Sequence, residues 1–286
     1  MATVISGKVL STNLKLNMKE EVLNFSKTYD RLPHLTVILV GDDPGSQSYV
    51  KGKEKASLEI GIKNTTIRLA KETSEEELLK IIDDLNNDDG VDGILVQLPL
   101  PDHINKERVL ETIRFDKDVD GFHPTNVAKL WQKKKCIVPC TPKGIVKLLE
   151  SANIEIEGKN VVVMGRSEIV GLPVSKLLID KNATVTVVHS RTQNIKEVTS
   201  KADILVVAIG KAKFVTGDFV KEGAVVIDVG VNRDPETGKL CGDCDFNSCE
   251  PKASYITKVP GGVGPMTICC LMENTIEAYI NHMEGR

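Results

Sequence analysis

Long apolar segments are absent from this chain. No stretch approaches the roughly 18 consecutive apolar residues that a membrane-spanning helix needs. The N-terminal segment MATVISGKVLSTNLKLNMKEE has no apolar core and becomes charged at once, which is not typical of a secretory signal. These absences predict a protein that has no membrane partner and is located in the cytoplasm, or in a compartment whose targeting segment is absent from this sequence.

An excess of charge of either sign is also absent. The 37 lysines and arginines nearly balance the 40 aspartates and glutamates, which leaves a net charge of −3. Such a balance gives no electrostatic basis for binding nucleic acid or an anionic membrane, so neither is an expected partner. The seven cysteines are an odd number that disulfides cannot fully use, and reduced thiols are therefore expected.

Internal repeats are missing, and short apolar runs alternate with amphipathic segments instead. The runs at 34–40, 65–70 and 93–98 are typical of strands in the first half of the chain, and NVVVMG at 160–165 begins a similar series in the second half. Strands that alternate with helices predict an α/β protein with parallel sheets.

The length of 286 residues favours two domains. We predict a catalytic domain over residues 1–140, onto which a C-terminal helix at 267–286 packs back, because the apolar side of a terminal helix needs a partner. Residues 141–266 form the predicted second domain, which is Rossmann-like, and we expect an active-site cleft between the two domains.

The segment VVVMGRSEIVGLP predicts a strand, a turn and a helix that could hold a dinucleotide. Gly165 and Gly171 would let the backbone approach a pyrophosphate closely, and the helix N-terminus would attract its charge. The pattern departs from the GxGxxG fingerprint, so an ordinary glycine-containing turn is an alternative interpretation.

The end of the next strand bears on the choice of dinucleotide. NAD sites usually carry an acid there for the ribose hydroxyl, whereas VVHSRT places Ser190 and Arg191 at this point. Together with Arg166 in the first turn, these side chains suit a 2′-phosphate, which a guanidinium binds bidentately. Either arginine alone could simply face solvent, but the combination favours NADP.

Four residues of the first half could hold a flat polar heterocycle and act on it. Tyr49 and Lys53 are four positions apart on a predicted helix and therefore share a face. Gln97 ends a strand, and Asp120 lies in the acidic loop DKDVDG. The ordinary alternatives are a solvated lysine, a rim or core aromatic and an acidic loop that faces water.

The segment KVPGGVGPMT at 258–267 holds three glycines and two prolines. This composition predicts a sharply shaped loop before the last helix. Such a loop can lie against a flat ring, because glycine removes the bulk of a side chain. It could equally be only an interdomain turn.

The cysteines at 241, 244 and 249 have a spacing that is similar to zinc motifs. A structural zinc site needs four ligands, and no fourth cysteine or histidine lies nearby. We therefore expect no metal, and we expect Cys269 and Cys270 to be packing residues.

Taken in order, these motifs identify a family resemblance. The chain resembles the methylenetetrahydrofolate dehydrogenase/cyclohydrolase family along nearly its whole length. The matching segments are VILVGDDPGSQSYVKGKEKA, GILVQLPLP, KDVDGFHP, PCTPKGIVKLL, GRSEIVGLPVSKLL, TVVHSRT, IDVGVNR and VPGGVGPMT.

The resemblance implies roles for the four residues of the first half. Lys53 takes the catalytic position of a YxxxK motif, and Tyr49 the position that stacks on the folate. Gln97 takes the position that hydrogen-bonds and tunes the lysine, and Asp120 the position that anchors the pterin. Further implied substrate-binding positions are Val50, Lys51, Gly52, Val96 and Leu98, and in the glycine-rich segment Pro260, Gly261, Gly262, Val263, Gly264, Pro265, Met266, Thr267 and Ile268.

The resemblance also implies a cofactor and an assembly. The family's NADP contacts map onto Gly165, Arg166, Ser167, Ser190 and Val231, with Arg191 as an addition to the phosphate site. Tetrahydrofolate derivatives are the implied substrates, and a homodimer formed through the cofactor domains is the implied assembly.

The expected function is bifunctional. The resemblance implies oxidation of 5,10-methylenetetrahydrofolate to 5,10-methenyltetrahydrofolate with NADP, followed by hydrolysis to 10-formyltetrahydrofolate. One alternative is another two-domain NADP-dependent oxidoreductase, similar to shikimate dehydrogenase. A second alternative is an inert folate-binding protein.

Overall fold

Short strands and helices alternate along residues 1–285, which this computed structural model describes. The strands are β1 Thr3–Ile5, β2 His34–Val40, β3 Lys63–Leu69, β4 Gly93–Val96, β5 Asn160–Met164, β6 Thr184–Val188, β7 Ile204–Val207, β8 Val225–Asp228, β9 Asn232–Arg233, β10 Leu240–Cys241 and β11 Tyr255–Thr257. The helices are α1 Gly7–Thr28, α2 Pro44–Ile60, α3 Glu75–Asn86, α4 Lys106–Thr112, α5 Pro124–Trp131, α6 Cys140–Ser151, α7 Gly171–Asp180, α8 Ile195–Thr199, α9 Phe246–Cys249 and α10 Val263–Met283.

The chain divides into two compact units. The first unit comprises residues 13–140 together with the C-terminal segment from Ile268, and the second unit comprises Met1–Thr12 and Thr141–Thr267. The structure therefore differs from the predicted range 1–140 at the N-terminus. The reason is that β1 pairs with β11 of the second unit, which a three-residue strand does not announce in the sequence.

The first unit has a three-stranded parallel sheet with the order β3-β2-β4. All seven residues of β2 are buried, as expected for a central strand covered on both faces. The core on one side of the sheet includes Ile38, Leu78, Ile82, Ile94 and Val109.

The second unit has a six-stranded parallel sheet with the order β1-β11-β8-β7-β5-β6. The chain runs from β5 outwards to β6 and then returns to β7 on the other side of β5. Ligands of doubly wound sheets bind outside the carboxyl ends of the strands at such a reversal. The end of β5 is therefore the place where a dinucleotide would bind.

The predicted α/β fold with two domains and parallel sheets is confirmed. A local signal that the sequence also carries is the serine three residues before a glutamate, and Ser74 caps α3 by accepting a hydrogen bond from the Glu77 amide at 3.2 Å. Sequence reasoning overlooked several elements, among them β1, β11, α1 and α5. It also placed the start of the last helix at Thr267, four residues too late, because Gly264 and Pro265 are residues that usually interrupt helices.

The last helix packs within the first unit through buried polar contacts. The Ser57 hydroxyl lies 3.4 Å from the Met272 sulfur, and the Tyr279 hydroxyl donates to the Arg31 carbonyl at 2.7 Å. Arg286, the end of the predicted range 267–286, lies outside the described residues. Within residues 1–285, no helix is long and apolar enough to cross a membrane.

Candidate active site and nucleotide site

Lys53 lies in the third turn of α2, and only 8% of the residue is exposed. Helix α2 begins at a strong start signal, because Asp43 accepts a hydrogen bond from the Ser46 amide at 2.7 Å and Pro44 occupies the first turn. The Lys53 amine donates to Oε1 of Gln97 at 2.9 Å. The helix thus delivers a buried amine to the end of β4.

Burial sets the protonation behaviour of Lys53. Removal from water lowers the pKa of Lys53, because the charged amine loses hydration, while Asp120 and Cys140 oppose that shift. Burial also raises the pKa of Asp120, and Lys53 opposes this shift in turn. An amine with a lowered pKa can act as a base near neutral pH.

Gln97 is held in place by its own backbone and side chain. Its backbone N–H donates to the Ile38 carbonyl at 2.8 Å, which continues the pairing of β4 with β2. Its side-chain nitrogen donates to the Leu98 carbonyl at 2.6 Å. The amide oxygen is left to accept from Lys53 without adding a charge.

Asp120 lies in a loop that the neighbouring Asp118 shapes. The Asp118 carboxylate accepts hydrogen bonds from the amides of Gly121 at 3.1 Å and His123 at 2.8 Å. Gly121 has a φ of 76°, and a Cβ there would lie 2.7 Å from the Pro139 nitrogen. The half-buried Asp120 is therefore presented by a loop with little freedom.

Two contributors to this region were missed by sequence reasoning. Cys140 is buried, donates its thiol to the Val119 carbonyl at 3.4 Å and interacts with the Asp120 carboxyl. Asn274 of α10 donates to the carbonyls of Val119 at 2.8 Å and Val138 at 2.9 Å. No local motif marks either residue. The one available sequence signal is that Asn274 is an asparagine within an apolar terminal helix.

The other implied positions on α2 and β4 differ from one another in their exposure to solvent. Tyr49 is 40% exposed, one turn before Lys53, and partial burial raises its pKa. Lys51 is exposed, while Val50 and Val96 are core side chains. The structure thus brings together Lys53, Gln97 and Asp120, with Tyr49 at the rim.

The glycine-rich segment is only partly a loop, which corrects the prediction for 258–267. Gly261 has a φ of 110°, but α10 has already begun at Val263, so the second half of the motif is helical. A Cβ on Gly7 would lie 1.9 Å from the Gly262 carbonyl oxygen, and the Lys8 amide donates to Gly261 at 3.0 Å. Close packing of α1 on this turn requires glycine there.

The turn after β5 fits a dinucleotide. Gly165 has a φ of 118°, and a Cβ there would lie 2.1 Å from the Ala208 carbonyl oxygen. A Cβ on Gly171 would lie 2.3 Å from the Gly165 carbonyl oxygen. Both glycines keep the backbone of the turn close to the N-terminus of α7, where the amides can face a pyrophosphate.

The side chains predicted to bind phosphate lie just after the ends of two adjacent strands. Strands β5 and β6 pair in parallel up to Met164 and Val188, so Arg166 and Ser190 follow neighbouring ends. Ser167, Ser190 and Arg191 are exposed, as is Arg166, and neither arginine has an ion-pair partner within residues 1–285. These cations are available to an anionic ligand. Val231 is 44% exposed on the turn after β8.

All seven cysteines are thiols, and the three that have zinc-like spacing are buried. Cys244 and Cys249 belong to the apolar core of the second unit, and the Cys249 thiol donates to the Val215 carbonyl at 3.4 Å. The described part of the chain contains no group of three side chains that could hold a metal ion. The absence of metal stays a prediction.

A buried lysine with a carboxylate in one unit, and a Rossmann-like sheet with a glycine-containing turn after β5 in the other, define the class of two-domain α/β dehydrogenases. Family models narrow the class. Residues 5–120 match the tetrahydrofolate dehydrogenase/cyclohydrolase catalytic domain, and residues 139–283 match the NAD(P)-binding domain of that name. The chain belongs to the tetrahydrofolate dehydrogenase/cyclohydrolase family.

Full-length relatives agree with the family models. The chain is 56% identical to the "Bifunctional protein FolD" of Oceanobacillus iheyensis over 97% of each chain, and 52% identical to that of Streptococcus thermophilus over 100% of each. The FolD structure from Campylobacter jejuni is 48% identical, with a TM-score of 0.95 over 98% of this chain and 99% of that one. A Trypanosoma brucei relative, solved with NADP and an inhibitor, is 40% identical, with a TM-score of 0.95 over 99% and 98%.

Shikimate dehydrogenases share only the fold. The enzyme from Thermus thermophilus is 14% identical, with a TM-score of 0.53 over 85% of this chain and 99% of that one. The alternative of a shikimate-dehydrogenase-like oxidoreductase is therefore not favoured.

Proposed function

We propose that this chain is a bifunctional, NADP-dependent methylenetetrahydrofolate dehydrogenase and methenyltetrahydrofolate cyclohydrolase. The observation that carries the proposal is the buried Lys53, whose amine donates to the neutral Gln97 at 2.9 Å and interacts electrostatically with the carboxyl of Asp120. The membership of the chain in the family supports the same reaction.

The folate is held by the first unit. The exposed ring of Tyr49 stacks on the flat heterocycle, and Asp120 accepts hydrogen bonds from the pterin. Residues from Val50 to Gly52 and from Val96 to Leu98 complete the substrate contacts proposed on this unit. These contacts place the bridging methylene carbon within reach of Lys53.

In the oxidation step the protein acts by orienting the reactants more than by transferring protons. When bound, NADP supplies the hydride acceptor. The two nitrogens that flank the methylene carbon stabilise the cation left behind, so the protein acts mainly by orienting the folate. Gly165, Ser167 and Val231 shape the proposed cofactor site, and Arg166, Ser190 and Arg191 bind the 2′-phosphate.

The hydrolysis step uses Lys53 as the base. Its neutral amine removes a proton from water as the oxygen adds to the cationic methenyl carbon. The protonated amine then returns that proton to the ring nitrogen as the carbon–nitrogen bond breaks, and the new hydroxyl group loses its remaining proton to solvent as it becomes the carbonyl of the 10-formyl product. Gln97 orients the amine through its oxygen, and burial keeps part of the lysine neutral.

The proposal extends to assembly and location. We propose a homodimer formed through the cofactor domains, and a cytoplasmic location, in line with the family resemblance. Analytical ultracentrifugation would test this assembly. The mass measured in solution should be near twice the 31.3 kDa of one chain.

The direct test is to incubate the protein with methylenetetrahydrofolate and either NADP or NAD, following the absorbance of the reduced cofactor and then the formation of 10-formyltetrahydrofolate. The expected result is cofactor reduction with a preference for NADP, followed by hydrolysis. Folate binding without either activity would instead support the inert folate-binding alternative.

A further inference from the structure

Two buried carboxylates in the second unit have no role in the reaction as described. Asp228 ends β8, and Asp243 follows β10 two residues after Cys241. Asp228 is 4% exposed and Asp243 is 0% exposed. Burying two acids near each other is unfavourable unless hydrogen bonds within the fold compensate for the hydration that the carboxylates lose.

Asp243 gathers the segment that follows β7. Its Oδ2 accepts hydrogen bonds from the amides of Ile209 at 2.6 Å and Gly210 at 3.0 Å. Its Oδ1 accepts from the Lys211 amide at 2.8 Å and from the Asn232 side chain at 2.8 Å. Three successive backbone amides therefore converge on one carboxylate, which fixes the conformation of residues 209–211.

Asp228 connects that cluster to the turn after β8. Its Oδ1 accepts from the amides of Gly230 at 3.0 Å and Asp243 at 2.9 Å, and its Oδ2 accepts from the Cys244 amide at 2.9 Å. Burial raises the pKa of Asp228 to about 6, and the hydrogen bonds from these three backbone amides oppose that rise.

Two glycines make room for this reciprocal arrangement. A Cβ on Gly230 would lie 2.3 Å from the Asp243 carboxylate, and a Cβ on Gly242 would lie 1.8 Å from the Asp228 carboxylate. Each acid thus packs against the backbone next to the other acid. No side chain other than hydrogen fits at either position without moving a carboxylate.

The segments that these acids hold lie at the proposed NADP site. Residues 209–211 and 230–231 follow the carboxyl ends of β7 and β8, and β7 is the neighbour of β5. The Ala208 carbonyl is already the closest neighbour of a Cβ built on Gly165. The loops after three adjacent strands therefore form one connected structure at the edge where dinucleotides bind.

We propose that Asp243, supported by Asp228, is a positioning residue that sets the affinity for NADP by holding the backbone of residues 209–211 and 230–231. Being fully buried, Asp243 acts through those amides and not by contact with the ligand. The inference rests on the proposed function, because it assigns NADP to this edge of the sheet.

The test is the NADP affinity of Asp243→Asn, measured by isothermal titration calorimetry on the full-length protein. An amide keeps one acceptor oxygen but turns an NH₂ group towards backbone donors, so the loops must rearrange. We expect the Kd for NADP to rise about tenfold or more. Cyclohydrolase kcat, assayed without NADP, should change less than about twofold.

A matched control separates positioning from general destabilisation. Asp203 precedes β7 at the opposite, amino-terminal edge of the sheet, where it accepts hydrogen bonds from the Asn160 amide at 2.9 Å and from Lys221 at 2.6 Å. Asp203→Asn makes the same chemical change in the same unit. It should lower Tm while leaving the Kd for NADP within about twofold of wild type.

The outcomes divide cleanly. An unchanged Kd in folded Asp243→Asn, or an equal rise in Asp203→Asn at equal loss of Tm, overturns the inference. If Asp243→Asn does not fold, Asn232→Ala removes one of the four hydrogen bonds. It should weaken NADP binding and speed hydrogen exchange of the amides of 209–211, and no change in either contradicts the inference. Wild-type protein that does not bind NADP overturns the proposed function itself.

Discussion

The Gln97 side chain accepts a hydrogen bond of 2.9 Å from the Lys53 amine, and this contact joins the end of β4 to the middle of α2. A glutamate at position 97 would hold the lysine charged, whereas an amide orients it and leaves its protonation to burial and to Asp120. The neutral partner is thus suited to a lysine that must lose its proton during the reaction.

The first prediction concerns the pH dependence of hydrolysis. Because burial lowers the pKa of Lys53, wild-type kcat/KM should rise with pH through that lowered pKa and then level off. Asp120 opposes the lowering, so Asp120→Asn should move the rising limb to lower pH while weakening substrate binding. A limb that stays in place, or that moves to higher pH, would contradict this electrostatic relation.

The second prediction concerns the choice of cofactor. Arg166→Ala should raise the Kd for NADP by roughly ten- to a hundredfold, since a bidentate phosphate contact contributes on the order of 1.5–3 kcal/mol. The Kd for NAD should change little, because NAD lacks the 2′-phosphate. Titration of both cofactors checks this, and an equal loss for both would assign Arg166 to another part of the dinucleotide.

The third prediction concerns the turn after β5. Gly165→Ala should destabilise the protein by about 3 kcal/mol or more and abolish NADP binding, because its Cβ would lie 2.1 Å from a backbone oxygen. Gly158→Ala is the control, since Gly158 also has a positive φ of 71° but has nothing within 4 Å. It should cost only about 1 kcal/mol and leave NADP binding intact. Similar losses from both variants would mean that backbone strain at positive φ, and not crowding of the added Cβ, causes the loss of stability.

The fourth prediction concerns stability near the end of α10. The His282 ring lies 3.0 Å from Asp92 and 3.5 Å from Asp116, and these carboxylates raise its pKa. Arg31 and Arg114 pair with Asp92 and Asp116, and Asp89 and Lys117 line the same cavity as His282. A raised pKa means that charged His282 stabilises the fold at low pH and that this contribution is lost as pH rises through the folded value.

The measurement is the free energy of unfolding between about pH 6 and pH 9 for wild type and for His282→Gln. Wild type should lose stability relative to the variant as pH rises across this window. Curves that run parallel would show that His282 does not titrate differently in the folded protein.

Much of the fold follows from the sequence because its signals are local. The run HLTVILV forms β2 over the predicted residues, and Ser74 caps α3 as its spacing with Glu77 indicates. By contrast, β1 gains its place only by pairing with β11, some 250 positions later in the chain. The helical start at Val263 likewise overrides the turn preference of glycine and proline.

The same contrast between local and long-range signals applies to the candidate site. The family resemblance pointed to Lys53, Gln97 and Asp120, which the structure brings together, and their roles stay predictions. Asn274 and Asp243 could not be found in this way, because their hydrogen bonds reach residues up to 155 and up to 34 positions away, respectively, and no motif encodes such distances. Buried polar residues with distant backbone partners are visible only once the chain is folded.

The most direct test of the account is to measure the two activities of Lys53→Met separately, starting hydrolysis from authentic methenyltetrahydrofolate. Methionine keeps much of the side-chain volume and removes the amine. Cyclohydrolase activity should fall by about a hundredfold or more, the typical contribution of general acid–base catalysis, while dehydrogenase activity falls much less. Equal losses in both activities would assign Lys53 to substrate placement, and surviving hydrolysis would contradict its role as the base.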